Sequence, residues 1–285
     1  MSPDEYCRNK LAAVASSTHY SLLFLPQERR RAASALFALR RELDEALERA
    51  SDPSLAHASL HWWAQEIERL FDGSAQHPVT RALAPHIRTY DLAPESFQHV
   101  LQARHRQLQP APFEDFEALE QHYYLASGLF GEMAAKVYAT RQPTNPVHAR
   151  QLALAVQIIR MVRDAGRHAR AGRIVFPMQD LRRFDVKPQD LSSARYVDGF
   201  EALARLHAAR ARSALRAAVE QLAPQERRAQ APGIILGTLY EALLEELERS
   251  DFRVLHQRIA LTPVRKLLIA WRTWVFGAPR GGALA

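Results

Sequence analysis

Apolar residues recur along most of the chain at every third or fourth position, the spacing that places them on one face of an α-helix. Within residues 27–50 the apolar positions that follow this spacing are Ala33, Leu36, Phe37, Leu43 and Leu47. The alternation of apolar and polar residues that is typical of a β-strand is nearly absent. The sequence therefore predicts an all-α protein.

Proline and capping residues divide this pattern into separate helices. Ser2, Pro3 and Glu5 form the signature of a helix N-terminus, with a capping box between Ser2 and Glu5. Five further pairs predict a helix start after a short turn: Asp52-Pro53, His77-Pro78, Ala93-Pro94, Asn145-Pro146 and Ala223-Pro224. Long helices are predicted at about 54–72, 113–139, 147–170, 197–222, 225–249 and 262–276. Residues 173–190 break the pattern and are predicted to form an ordered connection.

No Gly/Ser-rich linker, change in composition or fixed-period repeat divides the 285 residues. We therefore predict one domain spanning residues 1–285, with 277–285 as a flexible tail. Cys7 is the only cysteine, which excludes an intrachain disulfide and a Cys-based zinc site and favours a reducing compartment. The first twenty residues lack the apolar core of a signal peptide, and no stretch reaches the ~18 apolar residues of a membrane span. A cytoplasmic location is expected.

The chain is basic, with 38 Lys+Arg against 31 Asp+Glu and a formal net charge of +7. The arginines alternate with Glu and Ala in helical patterns, and no zinc-finger spacing, RNA-binding signature or basic arm is present. We therefore expect no nucleic-acid partner, and an affinity for anionic ligands or anionic membrane surfaces. Residues 264–276 mix Trp, Leu and basic residues, so that this segment could lie on a membrane surface or form a final core helix.

Carboxylates occupy one face of a helix in the segment that follows Arg40 and Arg41. Asp44 and Glu48 are four residues apart, so both project from the same face one turn apart. Oxygen ligands in this arrangement can hold Mg²⁺ together with substrate phosphates. The alternative is a charged outer face on which Arg41 and Glu45 form an ion pair.

A polar stripe marks a second helix that is otherwise rich in Leu, Val, Ile and Met. Its members recur at steps of three and four: Gln157, Arg160, Asp164 and His168. Such a stripe lines a cavity or meets partners when it is shielded from water. Four more arginines, Arg163, Arg167, Arg170 and Arg173, could contact phosphate oxygens. The alternative is an amphipathic surface helix with its arginines in water.

A third segment, residues 16–26, places hydroxyl side chains beside an apolar run that ends at Pro26. The pattern is compatible with anion binding beside an apolar channel, and equally with a turn between helices that is closed by local side-chain caps.

These three segments, in this order, resemble the squalene/phytoene synthase family, and within it the bacterial presqualene diphosphate synthases of hopanoid pathways. The matching stretches are residues 6–48, 77–87, 163–186 and 239–274. The resemblance implies an all-α, isoprenoid-synthase-type helical bundle around a central apolar cavity. It also implies that two prenyl diphosphates, usually farnesyl diphosphate, are joined through a cyclopropyl intermediate, with Mg²⁺ held by two Asp-rich motifs on opposing helices.

The family's functional residues can be carried over position by position. The resemblance implies catalytic roles for Tyr20, Asp44, Asp164 and Tyr240. It implies diphosphate binding by Ser17, Arg41, Gln157 and Arg163, and metal binding by Asp44, Glu48 and Asp164.

Four positions depart from the family pattern. Arg160 replaces an Asn of the second motif, and His168 replaces its last Asp. His122 stands where the family has Tyr, and Gln107 where it has Asp. Arg cannot ligate a metal, and Mg²⁺ favours oxygen donors over imidazole. All four exchanges lower negative charge or metal-binding capacity in one cavity, which indicates an altered function.

Two hypotheses follow. The first is a Mg²⁺-dependent prenyltransferase that couples two farnesyl diphosphates into presqualene diphosphate in isoprenoid or hopanoid biosynthesis. The second is a non-catalytic homologue that binds a prenyl lipid or acts in assembly with a partner protein, with an ion pair of Arg160 to Asp164 or Asp44 in place of the metal. The intact first motif, Asp164 and the neighbouring arginines favour the enzyme narrowly.

Overall fold

The computed structural model describes residues 1–12, 16–48, 52–108, 111–139 and 145–278. Helices joined by short turns make up these ranges, and no β-strand occurs in them. The helices are α1 (Pro3–Ala12), α2 (Ser17–Leu22), α3 (Gln27–Glu48), α4 (Pro53–Asp72), α5 (Pro78–Thr89), α6 (Pro94–Gln107), α7 (Phe116–Tyr123), α8 (Leu129–Tyr138), α9 (Pro146–Arg163), α10 (Ala165–Arg170), α11 (Met178–Arg183), α12 (Pro188–Ser192), α13 (Asp198–Glu220), α14 (Ala231–Arg249) and α15 (Pro263–Phe276). The all-α prediction is confirmed.

The helix starts that capping residues predict are largely present. The backbone N–H of Ser2 donates to Glu5 Oε2 at 2.7 Å, and the N–H of Glu5 donates to Ser2 Oγ at 3.2 Å, which is the predicted capping box. A proline occupies the first position of α4, α5, α6 and α9. The exception is Pro224, which lies in a turn, so that α14 begins only at Ala231.

Two predicted helices are interrupted. A π-helical turn, Tyr124–Gly128, separates α7 from α8, and α9 ends before Asp164, whose backbone dihedrals (φ −98°, ψ 10°) break the helix before α10. The predicted connection at 173–190 contains the short helices α11 and α12. Residues 279–285 of the predicted tail lie outside the described residues, and the single domain stays a prediction.

The buried apolar residues form two clusters. One includes residues of α9, α13 and α14 together with Phe176, Phe200 and Phe252. The other includes residues of α1, α3, α5, α6 and α8, with Phe97 and Phe130 fully buried. Helices from both clusters meet around the cavity described below. Within the described ranges, we find no helix whose length and apolar character would let it cross a membrane.

Helix α10 packs against the backbone of the segment between α14 and α15. A Cβ atom on Gly166 would overlap the carbonyl oxygen of Leu255, so this position accepts only glycine without a backbone shift. Arg170 donates to the same carbonyl oxygen, and the backbone N–H of Leu255 donates to the Tyr196 hydroxyl at 2.8 Å. These contacts fix the segment beside the break at Asp164.

We expect Gly166→Ala to lower the free energy of unfolding by about 1–3 kcal/mol, because the added methyl group forces two backbones apart. Gly128→Ala is the matched control, since the three atoms nearest to its Cβ all belong to the ring of Tyr124, a side chain rather than backbone. Urea unfolding followed by circular dichroism measures both changes. Equal losses in the two variants would contradict this account of Gly166.

Candidate functional site

A cavity of about 300 Å³ lies where α3, α6, α7, α9 and α10 meet. One part of its wall is apolar and consists of Leu47, Leu108, Ala111, Phe113, Leu119, Met161, Ile174 and Val175. The other part is polar or charged and consists of Asp44, Glu48, Arg104, Arg106, Gln107, His122, Tyr123, Gln157, Arg160, Asp164, Arg167, His168 and Arg173. The cavity that the resemblance implied is present, but charged side chains form much of its wall.

Asp44 faces the cavity from α3 and is bound by an arginine of α6. Its Oδ1 lies 2.7 Å from Nη2 of Arg104, whose side chain is only 3% exposed. Burial alone would raise the pKa of this carboxyl, but the positive charges of Arg104, Arg40 and Arg160 hold it below its ordinary value. Asp44 is therefore ionised at neutral pH and already paired.

Glu48 follows Asp44 one helical turn later and is paired in the same way. Its Oε1 lies 3.1 Å from Nη1 of Arg167, and both side chains are about two-fifths exposed. The other face of α3 carries the alternative pair considered above, because Arg41 Nε lies 2.9 Å from Glu45 Oε1. Lys10 contacts Glu45 as well, at 2.9 Å. The helix thus has an acidic face toward the cavity, and on its other face a buried Glu45 that is paired with Arg41 and with Lys10 of α1.

Asp164 is the most enclosed carboxylate of the cavity wall, with 3% of its surface exposed. Arg163 binds both of its oxygens, Arg258 donates from Nε to Oδ1 at 3.1 Å, and Nη2 of Arg167 lies 3.7 Å from Oδ2. Burial would raise the pKa of this carboxyl, but the hydrogen bonds and charge of Arg163, with the charges of Arg258 and Arg167, lower it to about 2.

Arg160 lines the cavity from α9, near the carboxylates of Asp44 and Asp164. Its Nη1 donates to Gln157 Oε1 at 3.3 Å, and Gln157 and Arg40 both donate to Ser127 Oγ. The expectation that Arg160 pairs with Asp164 or Asp44 is wrong: in the described ranges no carboxylate oxygen lies within 4 Å of its guanidinium, because other arginines bind those carboxylates. Although burial acts to lower it, the pKa of Arg160 is raised by Tyr240 and the nearby carboxylates, so the group stays charged.

Two of the four replaced positions contact each other. Arg104 donates to Gln107 Oε1 at 3.2 Å, and Gln107 Nε2 lies 2.9 Å from His122 Nε2. Burial, with the charges of Arg104 and Arg106, lowers the pKa of His122 to about 4. His122 is therefore neutral and accepts from the Gln107 amide. Gln107 and His122, two positions at which the resemblance implies a departure from the family pattern, thus form one hydrogen-bonded unit.

His168 lines the cavity next to Arg173. Burial, with the charges of Arg173 and Arg167, lowers the pKa of His168 to about 4, so this imidazole is neutral as well. In the part of the chain that the structure describes, Nδ1 of His168 and Nε of Arg173 are buried without a hydrogen-bond partner. The hydrogen-bonding capacity of both atoms is therefore unused among the described residues.

The structure brings together part of the predicted site. Eight of the predicted positions line the cavity, namely Asp44, Glu48, Gln107, His122, Gln157, Arg160, Asp164 and His168. Five others, Ser17, Tyr20, Arg41, Arg163 and Tyr240, are not among the described residues of its wall. Arg163 still reaches Asp164, and Tyr240 lies close enough to Arg40 and Arg160 to influence their pKa values.

Sequence reasoning missed several arginines. Arg40 is four residues before Asp44 and therefore on its face of α3, a relation that helical spacing alone reveals. Burial, with the charge of Arg160, lowers the pKa of Arg40 to about 10. Arg104 and Arg258 reach the carboxylates from distant parts of the chain, and no local pattern identifies them.

The described residues do not fit a Mg²⁺ site. Asp44, Glu48 and Asp164 are each bound by at least one guanidinium, and Arg160 adds a permanent positive charge between them. No group of three or more His, Cys, Asp or Glu within the described ranges is arranged to hold a metal ion. Five arginines against three carboxylates leave the wall with an excess of positive charge, which suits an anion.

We expect Asp164→Asn to lower the free energy of unfolding by about 2 kcal/mol near neutral pH, because an amide cannot compensate the surrounding guanidinium groups. The pKa of Asp164 is lower in the folded protein than in the unfolded chain, so its stabilisation is complete above about pH 4. It is lost as the pH falls through about 2.

Urea unfolding at a series of pH values measures the difference between the wild type and this variant. The difference should shrink from pH 4 downward. Asp72→Asn, at the exposed end of α4, is the control and should change stability by less than about 0.5 kcal/mol. A difference that stays constant down to pH 2 would contradict the ion-pair account.

Known proteins with similar sequences include phytoene synthases. The 15-cis-phytoene synthase of Synechocystis sp. is 26% identical over 282 residues, which cover 94% of this chain and 84% of that protein. The phytoene synthase of Arthrospira platensis is 26% identical over 277 residues, which cover 93% of this chain and 90% of that protein.

Solved structures show the same fold. A dehydrosqualene synthase crystallised with a ligand superposes with a TM-score of 0.85 at 20% identity and covers 96% of each chain. The squalene synthase HpnC of Alicyclobacillus acidocaldarius gives a TM-score of 0.75 at 23% identity, over 88% of this chain and 94% of that one. The isoprenoid-synthase-type helical fold is thereby confirmed. A sequence model of squalene/phytoene synthases matches residues 11–265, so this chain belongs to the squalene/phytoene synthase family, whose enzymes are prenyltransferases that couple prenyl diphosphates head to head.

Proposed function

We propose that this protein binds a prenyl diphosphate in the cavity without a divalent metal ion. The arginines of the wall take the diphosphate, and the apolar part of the wall takes the prenyl chain. One observation carries the proposal: each carboxylate that would serve as a metal ligand is bound by an arginine. The cavity therefore presents positive charge of its own to an anion.

Two arginines have hydrogen-bonding capacity that the described residues leave unused. In the described ranges Arg160 has no carboxylate within 4 Å and makes only a 3.3 Å hydrogen bond to Gln157, and the buried Nε of Arg173 has no partner. Hydrogen bonds between guanidinium and phosphate are charge-assisted and roughly twice as strong as neutral ones. His122 and His168 are neutral, so the positive charge that the anion meets comes from the arginines.

The size of the cavity favours one ligand over two. Ligand pockets typically measure about 300–1,000 Å³, and this cavity of about 300 Å³ lies at the lower end of that range. Head-to-head coupling requires two prenyl chains in one site. Binding of a single prenyl diphosphate is therefore the function that the geometry supports best.

A second candidate is Mg²⁺-dependent coupling of two farnesyl diphosphates into presqualene diphosphate for isoprenoid or hopanoid biosynthesis. The observation in its favour is that Asp44, Glu48 and Asp164 face one cavity, as the two acidic motifs of the family do. The related phytoene synthases and the dehydrosqualene and squalene synthases of the same fold support a prenyl diphosphate as ligand in either case.

The buried thiol of Cys7, which is unpaired in the structure, supports a cytoplasmic location, which we retain as part of the proposal. Contact with a membrane surface concerns the separate helix α15 and stays a proposal of its own.

We expect farnesyl diphosphate to bind with the same affinity in Mg²⁺ and in EDTA, because guanidinium groups supply the positive charge. Arg160→Gln should weaken binding about tenfold or more, the effect of losing a hydrogen bond to a charged group. Isothermal titration calorimetry measures both effects. Arg150→Gln on α9 is the control, since Arg150 lies over the ring of Tyr124 and is not among the residues of the wall. Binding that requires Mg²⁺ would overturn the proposal.

The double variant Arg160→Asn with His168→Asp restores both family residues of the second motif. We expect it to make farnesyl diphosphate binding dependent on Mg²⁺, because it removes a fixed cation and adds a carboxylate one turn from Asp164. Titrations with and without Mg²⁺, and mass spectrometry for presqualene diphosphate, measure the gain. Arg160→Asn alone is the control and should gain less. An unchanged Mg²⁺ response would show that these two residues do not exclude the metal.

A further inference from the structure

Helix α15 presents a row of large apolar side chains to solvent. Seven of its residues are between 45% and 77% exposed: Val264, Leu267, Leu268, Trp271, Trp274, Val275 and Phe276. Isolated exposed apolar residues are ordinary on protein surfaces, but a contiguous apolar patch marks a site of interaction.

The row occupies one face of the helix. Val264, Leu268, Trp271 and Val275 follow each other at steps of three and four residues, so their side chains form a continuous stripe. Ala270 and Thr273 are buried, so the opposite face holds the helix to the protein. Trp274 stacks on Phe24 at 4.8 Å between ring centroids, which fixes one edge of the stripe. The stripe is therefore an ordered outer surface of a packed helix.

Basic residues are the only charged residues in the C-terminal segment that contains this stripe. The 34 residues from Phe252 to Ala285 contain no Asp or Glu. They contain six basic residues, Arg253, Arg258, Arg265, Lys266, Arg272 and Arg280. Arg265 and Arg272 are seven residues apart on α15 and flank the stripe on the same side. Arg272 is exposed, whereas Arg265 is paired with Glu246 of α14.

We propose that the exposed face of α15 docks on the surface of an anionic lipid bilayer. An apolar stripe that is flanked by basic residues and carries Trp is the pattern of a helix lying in the membrane interface. The basic residues attract anionic headgroups, while the stripe is buried at the boundary of the acyl chains. A second copy of this chain would instead bring together two faces with the same positive charge, which disfavours self-association.

The docking surface lies close to the arginine cluster of Asp164. Burial, with the charges of Arg163 and Arg258, lowers the pKa of Lys266 on α15, so these groups are near neighbours. Arg258 binds Asp164, which lines the cavity, from the segment that leads into α15. The membrane contact does not rest on the ligand proposed for the cavity, but it would place that cavity near the lipid surface.

Flotation with vesicles tests the proposal on the full chain. We expect binding to vesicles of equal parts phosphatidylcholine and phosphatidylglycerol, and weaker binding to phosphatidylcholine alone or at high salt. The double variant Leu268→Ser with Trp271→Ser should bind about tenfold more weakly or worse, because the apolar stripe is lost. Arg272→Gln should weaken binding to the anionic vesicles about fivefold, the effect of one basic residue at such a surface.

The matched control replaces the same residue types on another exposed helix, Leu55→Ser with Trp62→Ser on α4, where the two are 57% and 39% exposed. It should bind like the wild type, and circular dichroism checks that every variant is folded. The proposal is overturned if the wild type binds neither vesicle, or if the α15 and α4 variants lose binding equally. It is also overturned if light scattering shows a dimer that the α15 variant abolishes.

Discussion

The ionic contact of Asp164 is the constraint on which the C-terminal half of the structure depends. A carboxylate that is 3% exposed loses its hydration and is stable in the folded protein only when charged donors replace the water. Those donors come from its neighbour Arg163, from Arg167 on α10, and from Arg258 in the segment before α15. The break between α9 and α10 and the approach of that segment to α10 therefore have a common cause.

Arginine and Mg²⁺ are different solutions to the binding of a diphosphate. A metal ion concentrates two charges on one small centre, polarises the phosphate oxygens strongly and can leave with the product. A guanidinium spreads one charge over a plane, is fixed to the chain and cannot be removed by a chelator. Arg160 and the paired Asp44 therefore keep the cavity ready for an anion at all times. Arginine polarises the phosphate oxygens less than Mg²⁺ does, and cleavage of an allylic diphosphate demands strong polarisation. This cavity is therefore better suited to binding a prenyl diphosphate than to cleaving it.

Local pattern explains what the sequence could and could not predict. Caps and helical spacing depend on residues within two turns, so the helix starts and the shared face of Asp44 and Glu48 followed from the sequence. The sequence does not predict the break at Asp164, because the apolar spacing continues through it and its partner Arg258 is 94 residues away. The family pattern indicates Arg41 as a diphosphate ligand, whereas in the structure Glu45 binds Arg41 away from the cavity, and helical spacing places Arg40 on the face of Asp44.

The segment between α14 and α15 connects the cavity wall at Asp164 with the exposed face of α15. Within this segment Arg258 binds Asp164 beside the cavity. A few residues later the exposed stripe of α15 begins at Val264. A prenyl diphosphate has the same division, with an anionic head and an apolar chain that water excludes. Such a ligand concentrates at a bilayer surface, and a positive potential there attracts both the lipid headgroups and the diphosphate. A protein with its cationic cavity beside its membrane-binding face can therefore take such a ligand directly from the lipid surface. Gly166 allows this arrangement, because the connecting segment packs directly on α10 at that position.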